Sequence, residues 1–245
     1  MTKLIALPLT IAAALACSAS DDAAVGPPTG PPPPADFDIA AATATYDPEL
    51  DHVVFSIEVA GQAGATVPTP AGQLDGAPVL GYVFPTTLSS ADVGFGDAEG
   101  IVALALTSHP DFDDTPLFDE DHNRDYADDG RVWHPHWVIL VEDARVEGGL
   151  AVKQFDAADS TVVLPPTNPG MPMYMDSPGF GTSTVGASIH CVVPSYRLSG
   201  RRDFRFDGVA ARMQVNTSDP DRPLLGVYEV YDVASGDLSL PYTVQ

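Results

Sequence analysis

Apolar residues in this chain come in short runs of about four to ten, most of them closed by Gly, Pro, Asp, Asn or Ser, and none repeats at helical spacing. The runs cover residues 39–46, 53–59, 79–84, 101–107, 132–141, 150–155, 161–164, 188–193, 209–215, 225–231 and 238–244. Within them the apolar positions alternate. Val53, Phe55, Ile57 and Val59 share one face of an extended segment, and 209–215 alternates in the same way. About eleven short strands without helical patterns specify an all-β domain. A β-sandwich with Greek-key or jelly-roll connections is expected first, and a closed barrel second.

The segment before the first run has a different character. Residues 1–16 combine Lys3, an apolar run from Leu4 to Leu15 and the small-residue pattern Ala14-Leu15-Ala16, which reads as a secretory signal peptide. Cys17 then stands where bacterial lipoproteins carry their acylated cysteine, which predicts lipidation and a membrane contact through that anchor alone. The proline-rich stretch 26–35 suits an extended tether. The expected organisation is signal peptide 1–16, anchor and tether 17–36, and β domain 37–245. It places the protein in the cell envelope, as an outer-membrane lipoprotein facing the periplasm or the surface, or as a secreted protein.

The domain is strongly acidic, with 34 Asp and Glu against 11 Lys and Arg and a formal charge of −23. That balance repels phosphate backbones, so nucleic acid is excluded as an expected partner. No Gly-x-Ser-x-Gly, phosphate-binding glycine loop, Cys-x-x-Cys or His-Glu-x-x-His occurs, and nothing in the motifs indicates catalytic turnover. Asn216-Thr217-Ser218 fits a glycosylation acceptor and reads as an ordinary turn.

The most unusual stretch is Trp133-His134-Pro135-His136-Trp137, which holds both tryptophans and two of the six histidines. In an extended chain Trp133, Trp137, Ile139 and Val141 point one way, toward a core. His134, His136, Val138 and Leu140 point the other. Pro135 lacks a ladder donor and belongs at an edge or bulge. Two imidazoles at i and i+2 stand roughly 6–7 Å apart at the backbone and can converge on one metal ion with a third ligand. His190 is the expected third, because it opens another apolar strand after a long connection. Cys191 beside it should face inward as a small buried residue without a disulfide partner.

Two connections exceed hairpin length, 108–131 and 165–186. In the second, Met171, Met173 and Met175 alternate, so an extended segment sets three thioethers on one side, as auxiliary ligands suited to copper. In the first, Asp119, Asp121, Asn123 and Asp125 offer oxygen atoms at alternate positions, a partial match to a calcium loop.

A secreted β domain with a Trp/His strand and a distant further histidine resembles the methanotroph surface copper-binding proteins of the MopE and CorA type. That resemblance implies a copper site made of two histidines and an oxidised tryptophan, with His136 and His190 matching the histidines. The position two residues before His136 is held by His134, and Trp133 is one place out of register, so a three-histidine site is the variant expected here. The function expected is copper sequestration or delivery. The competing expectation is a metal-free surface sandwich that binds a protein or carbohydrate through its long loops.

Overall fold

The computed structural model describes residues 34–69, 73–110, 124 and 129–245. The signal peptide, Cys17, nearly all of the tether and the alternating oxygen ligands Asp119, Asp121, Asn123 and Asp125 lie outside the described residues.

No α-helix occurs among the described residues, and the strands pair antiparallel throughout. One sheet has four strands in the order β1-β2-β9-β8, with β1 Ile39–Asp47, β2 His52–Val59, β8 Gly181–Val185 and β9 Ser188–Pro194. The other has seven in the order β4-β3-β11-β12-β6-β5-β7. Its members are β3 Pro78–Pro85, β4 Ile101–Ser108, β5 His134–Glu142, β6 Leu150–Val152, β7 Met175–Asp176, β11 Val209–Val215 and β12 Leu225–Val233. A small ribbon pairs β10 Arg205–Phe206 with β13 Tyr242–Thr243.

The all-β class agrees with the alternating runs. The architecture differs from a pair of open sheets, because β4 pairs with β5 as well as with β3, which closes six strands of the larger sheet into a barrel-like ring. The four-stranded sheet packs on the outside of that ring. Closure is thinnest at β6, whose link to β12 is the single pair Gly226–Ala151. Some expected boundaries also move. Residues 161–164 are not a strand, and the connection 165–186 contains β7 and the whole of β8.

Alternation divides the interior into two cores with different chemistry. On β4, Val102, Leu104 and Leu106 face the four-stranded sheet, while Ala103 and Ala105 face the lumen of the ring. On β5, Trp137 and Ile139 join the outer core, and Val138 and Leu140 join the lumen. All the fully buried aromatic rings lie in the outer core. Phe55 sits among them, with ring centroids 5.2 Å from Phe84, 6.5 Å from Trp137, 6.0 Å from Phe204 and 6.3 Å from Phe206. The division is steric: facing sheets stand about 10 Å apart and accept aromatic side chains, whereas a narrow closed sheet accepts only small ones inside.

Trp133 is fixed on the outer side. Its ring lies 4.8 Å from that of Tyr82, and its indole N–H donates to the Gly64 carbonyl at 3.2 Å. Gly64 has φ +71, and a Cβ there would meet the Trp133 ring nitrogen at 2.6 Å, so this approach requires glycine. Pro135 pairs with Leu106 of β4, while β6 and β7 meet β5 only at residues 137–142. The proline therefore sits where β5 has a neighbour on one side only, as its missing donor requires.

Candidate metal centre

The ring closure brings the end of β4 beside the start of β5. Thr107 pairs with His134 and Ala105 with His136, so both histidines stand on the lumen side as their alternation predicts. One step beyond β4, His109 continues the inward series of Ala103, Ala105 and Thr107. Its backbone N–H donates to the Gly130 carbonyl at 2.9 Å, and the neighbouring Ser108 hydroxyl donates to the Arg131 carbonyl at 2.6 Å. These bonds hold the approach to β5 against the end of β4.

The result is a cluster of three buried imidazoles, His109, His134 and His136, exposed by only 2%, 7% and 2%. Each offers a ring nitrogen, and those atoms all lie within 4.8 Å of one another. Ring centroids are 4.8 Å apart for His109 and His134, 4.9 Å for His134 and His136, and 6.2 Å for His109 and His136. Such a cluster can hold a metal ion.

The hydrogen bonds orient the rings. His134 Nδ1 lies 2.6 Å from the Val132 carbonyl, and His109 Nδ1 lies 2.7 Å from the Pro110 carbonyl. A carbonyl only accepts, so each Nδ1 carries a hydrogen, and wherever the ring is neutral its Nε2 carries the lone pair. Those two Nε2 atoms are 3.0 Å apart. Two lone pairs at that distance repel unless a cation stands between them, either a proton or a metal ion. Metal–imidazole bonds of about 2.0–2.1 Å at a tetrahedral angle set nitrogen atoms roughly 3.3 Å apart, close to the observed gap. Donation of the other ring N–H to a backbone carbonyl is the usual orienting contact of a metal-bound histidine.

Two hydroxyls also approach the cluster. The Thr107 hydroxyl is 3.3 Å from His134 Nε2, and the Ser177 hydroxyl is 3.0 Å from His136 Nδ1. Ser177 follows β7, and the adjacent Asp176 is buried, with the Thr167 hydroxyl donating to one carboxylate oxygen and Arg197 3.3 Å from the other. Burial raises the pKa of Asp176, while Thr167 and Arg197 act in the opposite direction.

His190 does not join this cluster. It lies on β9, paired with Ser56 and Ser183 in the four-stranded sheet, while its neighbours Ile189, Cys191 and Val193 take the inward positions. The third imidazole is instead His109. Cys191 is fully buried without a disulfide partner, and burial pushes its thiol up to about 12. Met171, Met173 and Met175 all line the cavity that His109 and His136 line, with Tyr174 on the opposite side in the outer core. Asn216 is buried, and its amide donates to the Pro223 carbonyl and the Tyr228 hydroxyl at 3.0 Å each, so the glycosylation-like triplet serves as a turn.

His109 was legible in principle. The alternation through β4 points it inward, and a β4–β5 hairpin across the connection 108–131 returns the chain beside it. Comparison of the chain with protein-family models, with curated proteins and with solved structures gives no match.

Proposed function

We propose that this chain is an exported, lipid-anchored envelope protein whose β domain binds a copper ion through His109, His134 and His136, for sequestration or delivery. The observation that carries the reading is the 3.0 Å approach of two Nε2 atoms whose partner nitrogens are both committed to backbone carbonyls. Three imidazoles suit copper and zinc alike. The thioethers of Met171, Met173 and Met175 in the wall of the same cavity favour copper, because soft sulfur prefers Cu(I). Their place in the reading is auxiliary, as soft ligands that would suit Cu(I) beside the imidazoles.

The test is elemental analysis of untagged protein purified after growth with copper and zinc both supplied. About one equivalent of copper in the wild type, lost in His109→Ala, supports the reading. One equivalent of zinc replaces copper with zinc. Metal-free protein that also fails to take up either ion on dialysis leaves the two Nε2 atoms sharing a proton, and ends the metal reading.

A further inference from the structure

Closing six strands into a ring leaves the four-stranded sheet β1-β2-β9-β8 with the long edges of the fold. Its β1 edge is covered. Tyr46 and Ala44 exchange backbone bonds with Gln245, the Ile39 N–H donates to Asp232 at 2.7 Å, and Ala42 is buried beside Gly208. The β8 edge is open: among the described residues no strand pairs with it on the side away from β9, and no backbone bond reaches it there.

The register decides what that edge presents. The β8–β9 hairpin turns on Gly186 and Ala187 alone and runs without a bulge, with Val185 opposite Ser188, Ser183 opposite His190 and Gly181 opposite Val192. In a two-residue hairpin the pair flanking the turn, and every second pair after it, is the hydrogen-bonded one. Val185, Ser183 and Gly181 therefore turn their backbone groups to β9, and Thr182 and Thr184 turn theirs outward. The Ala187 carbonyl accepts from the Val59 N–H at 2.9 Å, which fits this parity, since Ala187 and alternate residues after it then face β2.

Natural sheets blunt an open edge with lysine, proline or a bulge. β8 has none of these. Residues 177–195 contain no Asp, Glu, Lys or Arg, in a chain that is 18% charged and carries −23 overall. A charge-free edge on so acidic a protein suits a partner with the same excess of negative charge, because the two can meet there without setting like charges face to face.

The edge also complements itself. Laid antiparallel on a second copy about Ser183, Thr182 faces the partner's Thr184 and Thr184 faces the partner's Thr182, each pair exchanging two N–H···O bonds. Cross-strand threonine pairs are favourable. Gly181 then faces the partner's Val185. Val185 is 67% exposed, and a side chain at Gly181 would meet nothing within 4 Å, so each valine covers a glycine that has room for it.

We infer that β8 is a pairing edge whose partner is β8 of a second copy, joining two four-stranded sheets into one across a two-fold axis at Ser183. The contact is independent of the metal reading, because β8 belongs to the four-stranded sheet and the imidazoles stand on the ring.

Sedimentation equilibrium of the full chain, from micromolar to millimolar concentration, reads the pairing as a doubling of the 25.7 kDa mass. Salt should tighten it, because the Debye length falls from about 10 Å at 0.1 M to about 3 Å at 1 M and screens the repulsion between two acidic copies. Ser183 is exposed, so Ser183→Lys and Ser183→Glu leave the single chain intact. Each sets like charges directly opposite and should weaken the dimer about fivefold, as about 1 kcal/mol does, while an equimolar mixture of the two restores it as a heterodimer. Thr184→Pro removes an outward donor without touching a bond to β9, and should abolish the doubling while far-UV circular dichroism stays that of the wild type. The leader is common to all these chains, so association through it survives in every variant. A wild type that keeps the single mass throughout leaves the edge to a strand of another protein and overturns the proposal. So does a dimer that loosens in salt, a dimer of full affinity in both Ser183 variants, or a mixture no tighter than either variant alone.

Discussion

Replacing His134 by alanine removes the nitrogen that stands 3.0 Å from His109 Nε2, and leaves His109 and His136 with ring centroids 6.2 Å apart. Loss of a contact that merely orients a metal ligand costs about 10–100-fold in affinity, so loss of a ligand costs at least the upper figure. At a metal concentration a hundredfold above the wild-type Kd, binding to the folded state stabilises the wild type by about 2.7 kcal/mol. His134→Ala at the same concentration sits near its own Kd and gains only about 0.4 kcal/mol. The difference of about 2.3 kcal/mol corresponds to roughly 5–9 °C in Tm for a domain of this size. Differential scanning calorimetry of both proteins, chelated and metal-loaded, reads it directly. His190→Ala is the internal control: on the four-stranded sheet it should keep the whole metal-dependent shift. An equal shift in His134→Ala, or a shift lost in His190→Ala, refutes the assignment of the three imidazoles.

Asp75 accepts from the backbone N–H groups and hydroxyls of Thr217 and Ser218, which hold its carboxyl down at about 2 and tie residues 74–76 to the start of the 216–223 loop. A depressed carboxylate contributes stability that is present above its unfolded value near 4 and is lost as pH falls through about 2. The urea midpoint of the wild type should therefore fall toward that of Asp75→Asn between pH 4 and pH 2, and parallel curves would remove this role. Cys191, buried and with its thiol raised to about 12, should react with an aromatic disulfide at neutral pH only as the chain opens, and quickly in denaturant. A Cys17→Ser chain that reacts quickly while folded would contradict its burial. The alternating Asp119, Asp121, Asn123 and Asp125 predict that Ca²⁺ raises Tm by several degrees over chelator in the wild type but not in Asp121→Ala. Identical midpoints leave that segment an acidic turn.

Local pattern alone specified the all-β class, the inward and outward faces of β5 and the shared face of His134 and His136, because each follows from a two-residue period that any extended strand obeys. It also placed Trp133 away from the histidines and Cys191 inside, by the same parity. The third imidazole was decided by tertiary structure. His190 and His109 both border long connections, and parity alone does not say which strand returns beside β5. The β4–β5 pairing answers that, since it sets Thr107 opposite His134 and carries His109 to the same end of the ring. Ring closure was likewise invisible to local pattern, because alternating runs serve open and closed sheets equally, and the choice lies in which edges meet. The lumen follows from that closure. Only after β4 has paired with both β3 and β5 do Ala103 and Ala105 face a space too narrow for aromatic rings, and the methionines of 171–175 find the wall they line.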